Sequence, residues 1–177
     1  MPEPLRPNAS KLFGRENWVL IPTVADINAI TAAEWNAASS FDISRVIFAT
    51  TGKPTQSTNR VTTERRLGDT KTYERVGTSN ITGGDMLYAH DDQAADGSDG
   101  QKMFETIPEG STFVLAQRRG VPRATAATAG QTYHAYPVEF GASFPAEAGE
   151  SEAAEGAMTV TFGVYDDPAI NKRLVAG

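Results

Sequence analysis

The 177-residue chain has no cysteine, only two histidines and no long apolar run. The lack of cysteine excludes disulfide frameworks, thiolate zinc sites and cysteine nucleophiles together. No segment approaches the roughly 18 apolar residues of a membrane span, and the first residues lack the apolar core of a secretory signal. We therefore expect a chain that is made in the cytosol, does not bind a membrane and is stabilised by packing or by assembly.

Metal-ligating patterns are also missing. His90 and His134 are far apart, and no His-x-His or His-x3-His spacing preorganises two ligands. The acidic segment that starts at Asp92 is comparable to a calcium loop, but Ala94 stands at the third position and Met103 at the twelfth, where the bidentate carboxylate belongs. The sequence predicts no metal and no cofactor.

Catalytic motifs fail in the same way. Gly52 and Lys53 resemble the end of a phosphate-binding loop, but the first glycine of that motif is absent and Pro54 replaces its Ser or Thr. No Gly-x-Ser-x-Gly sequence occurs. The many carboxylates lie in polar, flexible stretches, where no burial raises a pKa for acid–base chemistry. We predict no catalytic residues and no enzyme activity.

Charge is unevenly distributed along this acidic chain, whose net charge is −6. Residues 45–75 contain seven basic and three acidic residues, whereas residues 139–167 contain seven acidic and no basic ones. The overall sign argues against a classical nucleic-acid-binding domain. The segregation fits either solvated loops of different sign or a subunit whose positive surface meets the negative surface of a neighbour.

Periodicity predicts a mainly β protein, a β-sandwich or small barrel with one short packed α-helix. Ser98 with Gln101 is a possible capping box that begins this helix, and Pro108 ends it. The run from Thr112 to Ala116 is apolar on both faces, as expected of a central strand covered on both sides. Thr31 with Glu34 is a second possible capping box, which opens a helical turn that presents Trp35. The other predicted strands are 18–21, 42–50, 132–140, where Pro137 indicates an edge strand or a bulge, and 158–164.

The predicted domain organisation has three parts. Residues 1–15 are proline-rich and are expected to form an extended N-terminal arm. Residues 16–166 are expected to form a single β-sandwich domain, from which 51–59 projects as a loop and 146–156 as an acidic loop. Residues 167–177 are expected to leave the domain as a C-terminal tail.

The order of segments resembles the major tail tube protein of long, non-contractile-tailed bacteriophages over roughly residues 17–166. The resemblance rests on four stretches followed by a C-terminal strand: VTTERRLGDTKTYERVG, GGDMLYAHDDQ, FETIPEGSTFVLAQRRG and AGQTYHAYPVEFG. It implies a fold shared with type VI secretion tube proteins and hexameric rings that stack into a hollow tube. It also implies double-stranded DNA and a tape-measure protein inside the tube, and tail tip and terminator proteins as further partners.

The resemblance places the chain in the virion, and in the host cytoplasm during assembly. The strands between Arg45 and Val76 would supply inter-subunit and lumen surfaces, and 51–59 the loop that reaches the next ring. We predict that Arg65 and Arg66, taken to lie on a strand, pair with Glu150 and Glu152 of a neighbouring subunit. Two alternatives remain: a tail terminator or minor tail protein, and a monomeric β-sandwich binding module.

Overall fold

The computed structural model describes residues 12, 14–94, 97–149 and 154–177. Over these residues the chain forms nine strands and two short α-helices. The strands are β1 (Glu16–Ile21), β2 (Phe41–Asp42), β3 (Thr55–Thr62), β4 (Glu74–Thr82), β5 (Gly84–Ala89), β6 (Thr112–Arg119), β7 (Thr132–Ala148), β8 (Glu155–Val164) and β9 (Ala169–Arg173), and the helices are α1 (Ala32–Trp35) and α2 (Asp99–Thr106). The mainly β prediction is confirmed.

Seven of the strands form one curled antiparallel sheet, shaped as a half-barrel. Its order is β2-β1-β6-β7-β8-β5, and β9 also pairs with β7. The central strand β6 is buried on both faces, as its sequence predicts. Leu115 packs in one hydrophobic core and Val114 and Ala116 in another on the opposite face.

The first core lies between the sheet and α2. Ser98 Oγ accepts from the backbone N–H of Gln101 at 3.3 Å, which confirms this half of the predicted capping box. The other half does not form, since the Gln101 side chain donates to Glu105 Oε1 at 3.1 Å. The helix buries Met103, and Ile107 follows it into the same core. An eight-residue helix is marginal alone, and this apolar contact is what holds it in place.

The second core, on the opposite face, is closed by α1 and the C-terminal strand. The predicted capping box is confirmed: Thr31 Oγ1 accepts from Glu34 N at 3.0 Å, and the Glu34 carboxylate accepts from Thr31 N at 2.7 Å. This short helix buries Trp35 against Tyr133. The Tyr133 hydroxyl donates to Ile27 O and accepts from Ile30 N, which ties the preceding turn to the sheet.

The C-terminal prediction is wrong for residues 169–175. Strand β9 pairs with β7, Ala169 and Leu174 are buried in the second core, and Val175 forms a bridge with Thr31. The last residues complete the sheet because their apolar side chains cover a face that would otherwise be open. Most of the predicted N-terminal arm lies outside the described residues, and the single domain over 16–166 stays a prediction.

Pro137 indicated an edge strand or a bulge, and the edge strand is wrong, since β7 pairs on both sides. The register shifts in these pairings lie between Tyr133 and Ala135 and between Phe140 and Ser143. The carbonyl of Pro137 accepts from Tyr165 N, just beyond the end of β8. The nitrogen of Pro137 points the same way, into the gap between β8, which ends at Val164, and β9, which begins at Ala169. Proline is tolerated here because no partner strand needs its missing N–H.

The predicted strand over 42–50 is also wrong. Only Phe41 and Asp42 form a strand, and turns follow. Ile43 and Val46 are buried at a spacing of three, and Val46 N bonds back to Ile43 O. This segment then covers the outer edge of β5 through hydrogen bonds between Phe48 N and Leu87 O and between Ala89 N and Val46 O. These hydrogen bonds occupy the outer edge of β5, so a strand of another chain cannot pair with it there.

Candidate functional site

Strands β3 and β4 form a separate two-stranded hairpin, which is the most exposed part of the described chain. Every residue of β3 is exposed, and in β4 only Gly77 and Ile81 are partly buried. Eight residues of strand span about 27 Å. Among the described residues no third strand pairs with either β3 or β4. The hairpin therefore has two open edges with unpaired backbone donors and acceptors.

Threonine and serine hydroxyls link the two strands across the exposed surface. Thr55 and Thr82 are joined Oγ1 to Oγ1 at 2.9 Å, and Thr58 and Ser79 are joined at 3.0 Å. Such cross-strand pairs and the β-branched residues stabilise a hairpin that has no core of its own. This part of the chain is therefore a pair of polar strands that lie outside both hydrophobic cores.

The predicted projection is located differently along the chain. Residues 55–59 belong to β3, and the turn that connects the strands runs from 63 to 73. Sequence reasoning missed β3 because its residues are polar and show no apolar alternation. The signal that was available is the density of Thr, Val and Ser on both sides of a turn with Gly68 and Asp69.

Four large apolar side chains are exposed on this otherwise polar hairpin. Leu67, in the connecting turn, is fully exposed, and Val76 is 80% exposed. Val61 and Tyr73 are also more than half exposed. Apolar side chains on an element with open edges are typical of a surface that is covered by another chain.

The predicted contact residues lie in different places. Arg65 and Arg66 are in the connecting turn, so the prediction that they lie on a strand is wrong. Both are exposed, and Arg65 Nη1 donates to the Asp69 carbonyl at 3.0 Å. Glu150 and Glu152 lie outside the described residues. The structure does not test their pairing.

The base of the hairpin is fixed by Gly83, which separates β4 from β5. A Cβ at this position would lie 1.9 Å from the carbonyl oxygen of Phe162, so no other residue fits. Pro54 and Ile81 at the base line a cavity of about 650 Å³ together with His134 and Tyr136 from the sheet. The base of the hairpin therefore lies beside the end of the half-barrel that carries His134 and Tyr136, which we call its polar end.

Charged residues surround that polar end of the sheet. Glu16 lies 3.7 Å from both Lys53 and Arg119 and accepts from Gln117 Nε2 at 2.8 Å. His134 Nδ1 accepts from Asn171 N at 3.1 Å, and burial, followed by the charge of Arg119, lowers the pKa of His134. These contacts orient the charged side chains at this end of the sheet. None of them places a nucleophilic side chain next to a base.

A second cavity of about 650 Å³ lies at the other end of β5. It is lined by His90, Asp91 and Asp92, which are consecutive in the sequence, and by Glu155 at the start of β8. His90 Nε2 lies 3.3 Å from Asp92 Oδ1. Within the described ranges, no three His, Cys, Asp or Glu side chains form a group that could hold a metal ion.

The chain matches the family model described as Phage tail tube protein over residues 7–177. The chain belongs to the phage tail tube protein family. Tail tube proteins are structural components of the virion tail that assemble into a tube, and the open-edged hairpin is a surface suited to assembly. A search of curated proteins finds no match. In the described part of this tail tube protein, no helix is long and apolar enough to cross a membrane.

Proposed function

We propose that the chain forms hexameric rings that stack into the tube of a long, non-contractile phage tail and that double-stranded DNA passes through this tube into the host. The observation that carries the proposal is the hairpin of β3 and β4, which is exposed along its whole length and open at both edges. Membership of the family supports a role in the tail tube, and the hairpin offers a surface for contact between copies.

An open strand edge pairs readily with another strand. The two end strands of the main sheet offer little free edge, because β2 is two residues long and residues 46–52 cover β5, although residues 141–148 of β7 pair only with β8 and β9 pairs only with β7. The hairpin, in contrast, exposes backbone groups along eight and nine residues of its two strands. Pairing with a neighbouring copy would satisfy these groups and cover Val61 and Val76. The hairpin therefore supports self-assembly in particular.

The channel function follows from charge. DNA binds to basic walls through phosphate contacts, each of which strengthens binding and slows movement. A chain with a net charge of −6 repels DNA overall, so a lumen built from it allows DNA to slide. We propose that the protein works in this way without catalysis or a cofactor, with the tape-measure, tip and terminator proteins as its other partners. Assembly would take place in the host cytoplasm.

Purified protein imaged by negative-stain electron microscopy tests the proposal. We expect stacked rings with six-fold symmetry and a central channel, either spontaneously or after addition of a tail-tip complex as a seed. Light scattering coupled to size-exclusion chromatography should show polymers that grow with concentration. Single closed rings would favour a terminator. A strictly monomeric species, even with the seed, would refute the tube.

A further inference from the structure

Two cavities at the polar end of the half-barrel adjoin each other at the base of the hairpin. The first has a volume of about 650 Å³ and contains His134, and the second has a volume of about 750 Å³ and contains Trp18. The two cavities share four lining residues, which are Pro54, Gln117, Arg119 and Tyr136. Together they form one continuous groove, which we call the basal groove.

The basal groove crosses four neighbouring strands of the sheet. Trp18 of β1, Tyr136 of β7 and Ile170 of β9 line it, and β6 lies between β1 and β7. Neighbouring strands are about 4.8 Å apart, so the groove is about 14 Å long. The base of the hairpin also lines it, through Pro54 and Ile81. A segment that fills the groove would therefore contact both the sheet and the hairpin.

The chain enters this groove just before β1. Arg15 N donates to Leu12 O at 2.8 Å, and Gly14, which lies between them, has a φ of 68°. A hydrogen bond between residues three apart closes a β-turn, and a positive φ at the third residue is typical of a type II turn. The chain thus reverses its direction here, and Leu12 lines the groove. Residues 1–11, which we call the arm, are therefore attached to the groove at one end.

The arm suits the groove in length and in composition. Three of its residues are proline, and its apolar side chains include Leu5. Proline-rich segments favour the polyproline II helix, whose rise of about 3.1 Å per residue lets the arm span about 34 Å. Such helices bind in grooves that are lined by aromatic side chains, as Trp18 and Tyr136 line this one. Because prolines preorganise the helix, binding costs little conformational entropy.

We propose that the arm lies in the basal groove of its own chain, with Leu5 and the prolines on Trp18 and Tyr136. The arm is the occupant because Leu12 already lies in the groove and the arm is long enough to cross it. In this position it braces the base of the hairpin against the sheet and holds the hairpin in one direction. This inference goes beyond the proposed function, since it concerns a single, unassembled chain.

Limited proteolysis with trypsin tests the position of the arm in dilute, unassembled protein. Trypsin cleaves after Lys11, where the arm meets the groove, and after Arg66 in the exposed turn, which serves as an internal reference. Mass spectrometry measures the ratio of the two rates. A short tether gives an effective concentration in the mM range, so a Kd of about 0.1 mM keeps the arm bound about nine-tenths of the time. Leu5→Ser should therefore raise cleavage after Lys11 about tenfold relative to the reference.

A second variant changes the groove instead of the arm. Ala49 is exposed and lines the groove, so a tyrosine there fills part of the groove without entering either core. Ala49→Tyr should raise cleavage after Lys11 as Leu5→Ser does. Ala25→Tyr is the matched control, because Ala25 is also exposed but lines neither cavity, and it should be cleaved like wild type.

A synthetic peptide with the sequence of residues 1–11 tests the contact independently. It should bind the full-length Leu5→Ser chain, whose own arm is released, with a Kd of about 0.1 mM by isothermal titration calorimetry. It should not bind the chain that carries both Leu5→Ser and Ala49→Tyr. A peptide that binds both chains equally would lie somewhere other than the basal groove and would contradict the inference.

The outcomes separate this inference from the proposed function. Equal cleavage after Lys11 in wild type, Leu5→Ser and Ala49→Tyr would overturn the inference. Protection that appears only at concentrations where copies assemble would place the arm in a neighbouring copy and would also overturn it. Circular dichroism checks the fold, and if Ala49→Tyr does not fold, Leu5→Ser decides, since it changes only the arm. A protected arm in a wild type that forms no rings would refute the proposed function and support this inference.

Discussion

At the scale of single residues, Arg118 is the most unusual side chain, since it is charged and only 1% exposed. Its Nη1 donates to Gln131 Oε1 at 2.7 Å, Nη2 donates to the Thr125 carbonyl, and the guanidinium lies 5.9 Å from the centre of the Trp35 ring. Burial lowers the pKa of Arg118. The side chain thus ties residues 125–131 to the second core.

We expect Arg118→Met to lower the free energy of unfolding by about 1–3 kcal/mol, because the charge-assisted hydrogen bonds of the buried guanidinium to Gln131 and Thr125 and its contact with the Trp35 ring are lost. Urea denaturation of the unassembled protein measures this difference. Arg119→Met is the matched control: its side chain is 47% exposed and its ion pair with Glu16 is long, so a change below about 0.5 kcal/mol is expected. Equal effects of the two substitutions would contradict the assigned role of Arg118.

His134 predicts a pH dependence of stability. Burial and the nearby charge of Arg119 lower the pKa of His134 below its usual 6.5, so the folded state favours the neutral ring. The neutral Nδ1 also accepts from Asn171 N. The stabilisation is complete above the unfolded pKa and is lost as pH falls through the lowered folded pKa.

The melting temperature of wild type should therefore fall more between pH 7.5 and pH 5 than that of His134→Gln. The other ionisable groups are common to both proteins and cancel in the difference. Parallel curves for the two proteins would show that the neutral ring of His134 contributes nothing to folding.

At the scale of elements, the hairpin of β3 and β4 is separable from the fold. Its residues contribute nothing to the two hydrophobic cores. We expect that replacing residues 57–80 by Asn-Gly, a strong two-residue turn, leaves a folded monomer that cannot polymerise. Circular dichroism and thermal melting check the fold, and light scattering checks assembly. A shortened variant that still forms tubes would remove the hairpin from the assembly surface.

The other elements show which local patterns are reliable. The capping contacts of Thr31 and Ser98 were predicted because an N-cap depends on residues three apart. The segment from Ile43 to Thr50 was predicted as a strand because it is rich in apolar residues. The same apolar residues can also be buried by a series of turns that runs along the edge of a sheet, as they are here. The gap between β8 and β9 that accommodates Pro137 depends on where these two distant strands end and begin. The sequence around Pro137 does not show this gap, so it indicated an edge strand or a bulge.

At the scale of the whole molecule, charge segregation predicts contact between copies. Arg65→Glu with Arg66→Glu should leave the monomer folded but block tube formation, because both side chains are exposed and neither supports the core. Adding Glu150→Lys with Glu152→Lys should restore part of the assembly. Electron microscopy and light scattering measure both outcomes. Normal assembly of the double arginine variant would refute any role for these two residues.

Rescue by reversal at Glu150 and Glu152 would support the pairing of these two residues with Arg65 and Arg66 of a neighbouring copy. A small change in the energy of one contact between copies has a large effect on assembly, because each contact repeats in every ring and along every stack.

The sequence alone determined the mainly β class, the two capped helices, the doubly buried β6 and the alternation of β8, since each depends on residues close together in the chain. It also carried the resemblance to tail tube proteins that the family match confirms. Tertiary structure decided which strands are neighbours, so only the fold could show that β9 completes the sheet and that Pro137 lies at a junction. It likewise brought Glu155 next to His90 and Asp92 around one cavity and, among the described residues, left β3 and β4 paired only with each other. These features depend on distant segments that meet in space, and no local pattern specifies that meeting.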